Sequence, residues 1–305
     1  MKSKSIVLVS IGEKGYIYMA YNLAYSIKHH NESINIHLIA DGSIEYLPPD
    51  KRTLFDTITP VEFQDYHVNG TEPNLDPGRL KTRIYKYLKH EHNLYVDVDS
   101  LALCDLMPSF DKLCNDGRFY ITSEQGRGKI TETIRYSEWA TNETMKRIYG
   151  LEDNQDLVAI QSSWCYIHKC KEAKSFFDKV SKAFDKIDMK DLALNWGGTI
   201  PDEMVFSGII SKLNMNVDGP KDLMFFGSVA SLPNPSDMEG QYDILSIYGN
   251  GHGRTMTPLR FFEYYDNLMF RWTRLNKQSG RLPHDHIFKT NIIKQYKHAN
   301  KTKRQ

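Results

Sequence analysis

The run Leu94-Tyr95-Val96-Asp97-Val98-Asp99-Ser100 constrains this chain more than any other feature. Three apolar residues lead to two aspartates spaced one apart, and apolar residues resume at Leu101, Ala102 and Leu103. Such a run reads as a buried strand that stops where the aspartates begin. In an open α/β sheet, ligands bind outside the carboxyl ends of the strands. Two carboxylates there cost desolvation energy unless a positive charge sits between them. A divalent cation meets that need, because hard oxygen ligands suit Mg²⁺ or Mn²⁺. The oxygens of a nucleotide diphosphate would complete the metal shell. The competing reading is a solvated turn or a helix cap, as most Asp-x-Asp triplets are.

The start of the chain sets the sheet. Ile6 to Ser10 reads as a strand, and Tyr16 to His30 has helical spacing in Ile17, Tyr21, Leu23, Ala24 and Ile27. Ile34 to Ala40 reads as a second strand, closed by Asp41-Gly42. This βαβ opening predicts a parallel sheet. Gly12 and Gly15 loosen the first turn without forming G-x-G-x-x-G, so the dinucleotide fingerprint is absent.

Further along, the pattern predicts a weak strand near Thr59 to Phe63 and a helix over Arg79 to His90. A short strand is expected at Phe119 to Thr122, a mobile polar loop over a site at Gly126 to Thr133, and a helix over Ser137 to Tyr149. Leu157 to His168 contains another strand. Lys171 to Ile187 is amphipathic, with Phe176, Phe177, Val180, Phe184 and Ile187 on the core side. A Trp-Gly-Gly loop at Leu194 to Ile200 precedes a helix from Asp202 to Leu213. A late strand at Tyr242 to Tyr248 and an aromatic-rich helix at Pro258 to Leu275 follow.

The 305 residues fit one large α/β domain with additions, or two small domains. The best seam lies after about Asp266, separating residues 1–266 from a helical, basic extension over 267–305. That extension holds ten Lys and Arg against one acid, a net +9, which leaves the rest of the chain at −8. A basic tail on an acidic body suggests an anionic partner, nucleic acid included, the alternative being a solvated tail. Cys104, Cys114, Cys165 and Cys170 show neither C-x-x-C nor zinc spacing, so reduced thiols are expected. No signal peptide or membrane-length apolar run is present, so a cytoplasmic protein is expected and the sequon Asn69-Gly70-Thr71 carries no weight.

Two further segments carry chemistry. Gly249-Asn250-Gly251-His252-Gly253-Arg254 follows the late strand. Glycines let the backbone approach an anion, His252 offers a nitrogen to a metal, and Arg254 can fork onto a phosphate. An exposed glycine turn is the plainer reading. In Pro201-Asp202-Glu203, the acids at a helix start serve as cap and dipole partners, or hold sugar hydroxyls or act at a sugar carbon.

Taken together, these segments resemble the GT-A fold nucleotide-sugar glycosyltransferases, in particular the glycogenin and lipopolysaccharide galactosyltransferase group. The likeness covers roughly Ile6 to Arg254. It implies a Rossmann-like mixed, mostly parallel sheet flanked by helices. Its nucleotide-binding start falls on Ser10, Gly12 and Tyr16, and its basic helix on Arg79-Leu80-Lys81-Thr82-Arg83, with Lys81 toward the donor. The metal triplet falls on Asp97-Val98-Asp99, with His252 as third ligand. Ser162 and Ser163 in Gln161-Ser162-Ser163-Trp164-Cys165-Tyr166 stand where the family's Asn-Ala-Gly lines the donor sugar. Gly251 and Arg254 stand in its late His-x-x-Gly-x-x-Lys segment, Arg254 only two residues after His252. Asp202-Glu203 replaces an Asp-Gln-Asp stretch, leaving retaining against inverting chemistry open.

The implied activity is hexosyl transfer from a nucleotide-sugar, a UDP-sugar in the first place, with Mn²⁺ or Mg²⁺. The acceptor would be a glycan or another hydroxyl-bearing group, such as a modified base on DNA. Asp202 and Glu203 would be the catalytic pair. Rival readings are a haloacid-dehalogenase-like phosphatase, in which Leu101 stands where Thr or Val is expected, and a non-catalytic sugar-binding protein. A calcium loop fails, because Ala102 and Pro108 stand where Gly and Glu are required.

Overall fold

The structure, a computed structural model, describes residues 3–12, 14–68, 74–116, 119–121, 126–129, 140–192, 200–217, 219–220, 222–228, 235–248 and 271–272. In chain order the elements begin with β1 (Lys4–Ser10), α1 (Lys14–His30), β2 (Ile36–Ala40), α2 (Pro49–Arg52), β3 (Thr57–Pro60), β4 (His67–Val68) and β5 (Asn74–Leu75). Next come α3 (Pro77–Arg83), β6 (His92–Val96), β7 (Ser100–Ala102), α4 (Met107–Asp116), β8 (Tyr120–Ile121), β9 (Gly126–Lys129) and α5 (Asn142–Tyr149). The series closes with β10 (Asp156–Ala159), β11 (Trp164–His168), α6 (Lys171–Phe184), α7 (Asp202–Lys212), β12 (Met224–Ser228), α8 (Pro235–Met238) and β13 (Ile244–Tyr248).

The largest sheet has six strands in the order β3-β2-β1-β6-β11-β8. Parallel pairing joins β1 to β6 from Lys4↔His92 to Val7↔Tyr95. On the other side of β6 the sheet turns antiparallel, with Trp164 opposite Val96 and His168 opposite His92. The sheet is therefore mixed.

The chain forms two compact units. The first comprises Met1–Val7, Thr59–Val96 and Asp111–Lys221. Its core is Leu94 and Val96 of β6, Tyr166 and Ile167 of β11, and the apolar faces of α3, α6 and α7. The predicted aromatic stripe of α6 is buried at Phe176, Phe177, Val180 and Phe184, and Phe206 of α7 stacks on Phe176 with centroids 6.1 Å apart. α5 starts at Thr141, whose hydroxyl caps the Thr144 N–H, and ends at Gly150, whose φ of +62° is the left-handed cap that favours glycine. Gly208 of α7 lies against Tyr149, and any Cβ at 208 would overlap the ring.

The second unit comprises Leu8–Ile58, Asp97–Phe110 and Asp222–Gln305. α1 packs on β7 through a core that includes Ile17, Leu23, Ile27 and Leu101. β12, β13 and β7 form a three-stranded sheet. Trp272 is buried, edge-on to Tyr25 and His29 of α1 at 6.5 and 6.1 Å. It lies within the stretch predicted to be an aromatic-rich helix; the rest of 258–275, and the seam at Asp266, lie outside the described residues.

Several predicted elements differ. Gly126–Lys129 is a strand rather than a loop, because it pairs antiparallel with Asp156–Ala159; residues 130–133 are outside the described set. Leu157 to His168 holds two strands, β10 and β11, which belong to different sheets and are broken at 160–163. The helix expected over Arg79 to His90 starts earlier, where Asp76 caps the Arg79 N–H with Pro77 as the first helical residue, and tightens to 3₁₀ geometry over Ile84–Tyr87. The weak strand near Thr59 ends at Pro60. None of the four cysteines forms a disulfide.

Candidate functional site

In the first unit the chain folds so that four of the predicted residues meet. Lys81, on α3, places Nζ 3.3 Å from the Ser162 Oγ and 3.7 Å from the Asp202 Oδ2. The Ser162 N–H donates to Glu203 Oε1 at 3.2 Å. Lys81 and Asp202 are each 17% exposed, so their charges interact through partly desolvated space. The Lys81 ammonium also lies 5.6 Å from the Tyr95 ring centroid, within cation–π range. Ser163 is buried beside Ser162. A cavity with about 10 Å³ of room for a water-sized molecule is lined by Lys81, Tyr95, Ser162, Cys165 and Phe206. That space matches roughly one water. Burial pushes the Cys165 thiol well up, so it stays protonated there.

The first turns of α3 and α7 approach closely. A Cβ on Gly78 would lie 2.9 Å from the Ile200 carbonyl oxygen and 3.2 Å from Asp202 Cβ, so only glycine fits without a shift. Asp76 bridges the two segments, accepting from the Arg79 N–H at 3.0 Å and the Ile200 N–H at 3.2 Å. Burial, with a smaller contribution from the charge of Asp202, raises the Asp76 carboxyl above its usual range despite these hydrogen bonds. Sequence reasoning missed Asp76. Its signal was the Asp-Pro pair, an N-cap followed by a first-turn proline. The N-cap residue of α7 is Pro201, which makes no side-chain cap, so Asp202 and Glu203 sit within the first turn rather than at the cap. Glu203 spends its carboxylate on the Ser162 backbone instead.

In the second unit, Asp97, Val98 and Asp99 form the turn that follows Val96 and leads into β7. Val98 is buried, while both aspartates are partly exposed. β13 runs antiparallel to β7, with Ser246 opposite Ser100. That register heads the chain after Ser246 toward the Asp99 side of the turn, with Tyr248 the last described residue before the glycine-rich segment. At the end of β1, Ser10 is buried and its Oγ makes no hydrogen bond among the described residues. Gly12 has φ +82° and donates its N–H to Asp41 Oδ2 at 2.9 Å, so the β1–α1 turn requires glycine there and is tied to the end of β2. Tyr16, on α1, is 41% exposed. Gly251, His252 and Arg254 lie outside the described residues, as does the Trp-Gly-Gly loop up to residue 199.

The fold has solved counterparts. The galactosyltransferase LgtC, crystallised with donor and acceptor sugar analogues, superposes with a TM-score of 0.50 at 14% identity, over 92% of this chain and 100% of that one. The bifunctional glycosyltransferase WbbM superposes with a TM-score of 0.52 at 10% identity, over 90% of this chain. This chain spans about half of WbbM, 52% of its length. The mixed sheet with its flanking helices is thus the GT-A glycosyltransferase fold. No protein-family model and no curated protein matches the chain by sequence.

No helix among the described residues is long and apolar enough to cross a membrane.

Proposed function

We propose that this chain is a metal-dependent glycosyltransferase that moves a hexose from a nucleotide diphosphate sugar, a UDP-sugar in the first place, to a hydroxyl-bearing acceptor. The observation that carries the reading is the Asp97-Val98-Asp99 turn, placed directly at the end of β6 in a fold shared with LgtC and WbbM. The shared fold favours sugar transfer over the phosphatase alternative. LgtC's complex with donor and acceptor sugar analogues supports a nucleotide-sugar as donor.

The residues fit a hard divalent cation. Asp97 and Asp99 supply carboxylate oxygens one residue apart in a partly exposed turn, a donor set suited to Mn²⁺ or Mg²⁺. His252, which the resemblance makes the third ligand, would join them. When bound, the cation would offset the charge that develops on the departing diphosphate. Lys81 and Arg254, which the resemblance turns toward the donor, would supply positive charge to the diphosphate. Asp202 would keep the Lys81 ammonium oriented and would face the sugar. Glu203 would position the Ser162 segment against the donor rather than react itself. Ser10, Gly12 and Tyr16 would hold the nucleoside. We read 1–266 as the transferase domain and 267–305 as an extension that favours an anionic acceptor.

A hydrolysis screen of UDP-, GDP- and TDP-sugars, with Mn²⁺ and after chelation, tests this. Metal-dependent release of one nucleotide diphosphate is the expected result. No release from any donor, alongside no donor binding, would overturn it.

A further inference from the structure

The other end of β6 carries a group of side chains that the proposed reaction does not use. His92 opens β6 and stands directly opposite His168, the last residue of β11. Their rings stack with centroids 4.8 Å apart and planes within 13°. Glu91 Oε1 lies 3.7 Å from His92 Nε2 and 3.7 Å from His168 Nε2. These three donor atoms all fall within 4.8 Å of one another. A point equidistant from them therefore lies no more than about 2.4 Å from each, close to the ~2.0–2.2 Å of zinc bonds to imidazole and carboxylate.

The supporting chemistry agrees. His92 is buried, and its Nδ1 is 2.7 Å from the Tyr166 hydroxyl, also on β11. The Tyr166 hydroxyl oxygen has lone pairs that can accept from Nδ1–H. That leaves His92 Nε2 as the donor nitrogen, the arrangement in which a ligating histidine gives its other N–H to an oxygen. Glu91 and His168 are 40% and 29% exposed, so an ion has an entry path and water can complete the shell. Two imidazoles and one carboxylate suit a borderline cation such as Zn²⁺ better than Mg²⁺ or Ca²⁺.

We propose that Glu91, His92 and His168 form a Zn²⁺ site, with water as the fourth ligand, that pins β6 to β11. On binding, the more exposed His168 ring turns toward the shared point. The site is separate from the Asp97-Asp99 pair and needs no nucleotide.

The test uses the full chain without an affinity tag, stripped of metal and carrying Asp97→Asn and Asp99→Asn to remove the other carboxylate pair. Titration calorimetry with ZnCl₂ should give one equivalent in this background. Adding His168→Ala, or separately Glu91→Gln, should weaken binding by about tenfold or more, the cost typical of losing a ligand or its support. Co²⁺ should give visible absorption of a four-coordinate centre that His168→Ala abolishes. Both changes are at partly exposed side chains, and circular dichroism of each variant checks folding. Absence of Zn²⁺ binding in the folded background, or affinity unchanged by His168→Ala, would overturn the proposal. Either result leaves the nucleotide-sugar screen untouched, so the two readings fail separately.

Discussion

Replacing Lys81 by methionine separates a structural from a functional role for the group around Asp202. Methionine keeps most of the apolar stem and removes the ammonium. At 3.7 Å and an effective dielectric of about 20, the gross attraction between Lys81 and Asp202 is about 4 kcal/mol. Much of this is offset by desolvation of both groups, so the net loss should be about 1–3 kcal/mol, chiefly from leaving Asp202 without its cation. Urea unfolding at pH 7 measures it. The variant Asp202→Asn removes the stranded charge, so the double variant should be more stable than Lys81→Met alone, with a coupling of about 1–2 kcal/mol. Turnover should behave differently. Lys81→Met should lower kcat/KM about 100-fold or more, and Asp202→Asn should not restore it, because the donor phosphates still lack the charge. Additive stabilities would refute the ion pair, and turnover restored in the double variant would refute the phosphate role.

Three other consequences follow from the structure. Gly208→Ala forces a Cβ into the Tyr149 ring and should destabilise the protein by about 1–3 kcal/mol, read as a lower Tm by calorimetry. Asp65, although burial pushes its carboxyl up, is held below the usual range by hydrogen bonds from Lys86 and Tyr87 and by the charges of Lys86 and Arg83. Its contribution is therefore present above pH about 4 and lost as pH falls through the lowered folded value, so Asp65→Asn should cost about 2 kcal/mol at pH 7 and progressively less below pH about 4 in parallel urea titrations. Deleting Lys289 to Gln305 should leave donor hydrolysis intact while lowering transfer to a polyanionic acceptor and its salt dependence, which paired assays at two ionic strengths would show.

What could be read from the residues follows physical lines. Apolar runs such as Ile6 to Val9 and Leu94 to Val96 form buried strands wherever they fall, so β1 and β6 were legible. α6 was legible because one face is aromatic along its length. β9 was not, because Gly-Arg-Gly-Lys has no intrinsic strand preference and becomes a strand only by pairing with β10. The polar break at 160–163 hid a change of sheet inside what read as one strand. Within the candidate site, Lys81, Ser162 and Glu203 were named from their segments, but their bonds join residues up to 81 positions apart, which no local pattern records. His168 drew no attention for the same reason, since only the β6–β11 register brings it to His92.

Calorimetric titration of a UDP-sugar into the Mn²⁺-loaded protein, wild type against Asp99→Asn, tests the central claim most directly. Asp99 is partly exposed in a turn, so the substitution should leave the Tm of the ligand-free protein nearly unchanged. The account predicts Mn²⁺-dependent donor binding in the wild type and its loss, by at least about 100-fold in Kd, in Asp99→Asn. Full-strength, metal-dependent donor binding in Asp99→Asn would contradict it.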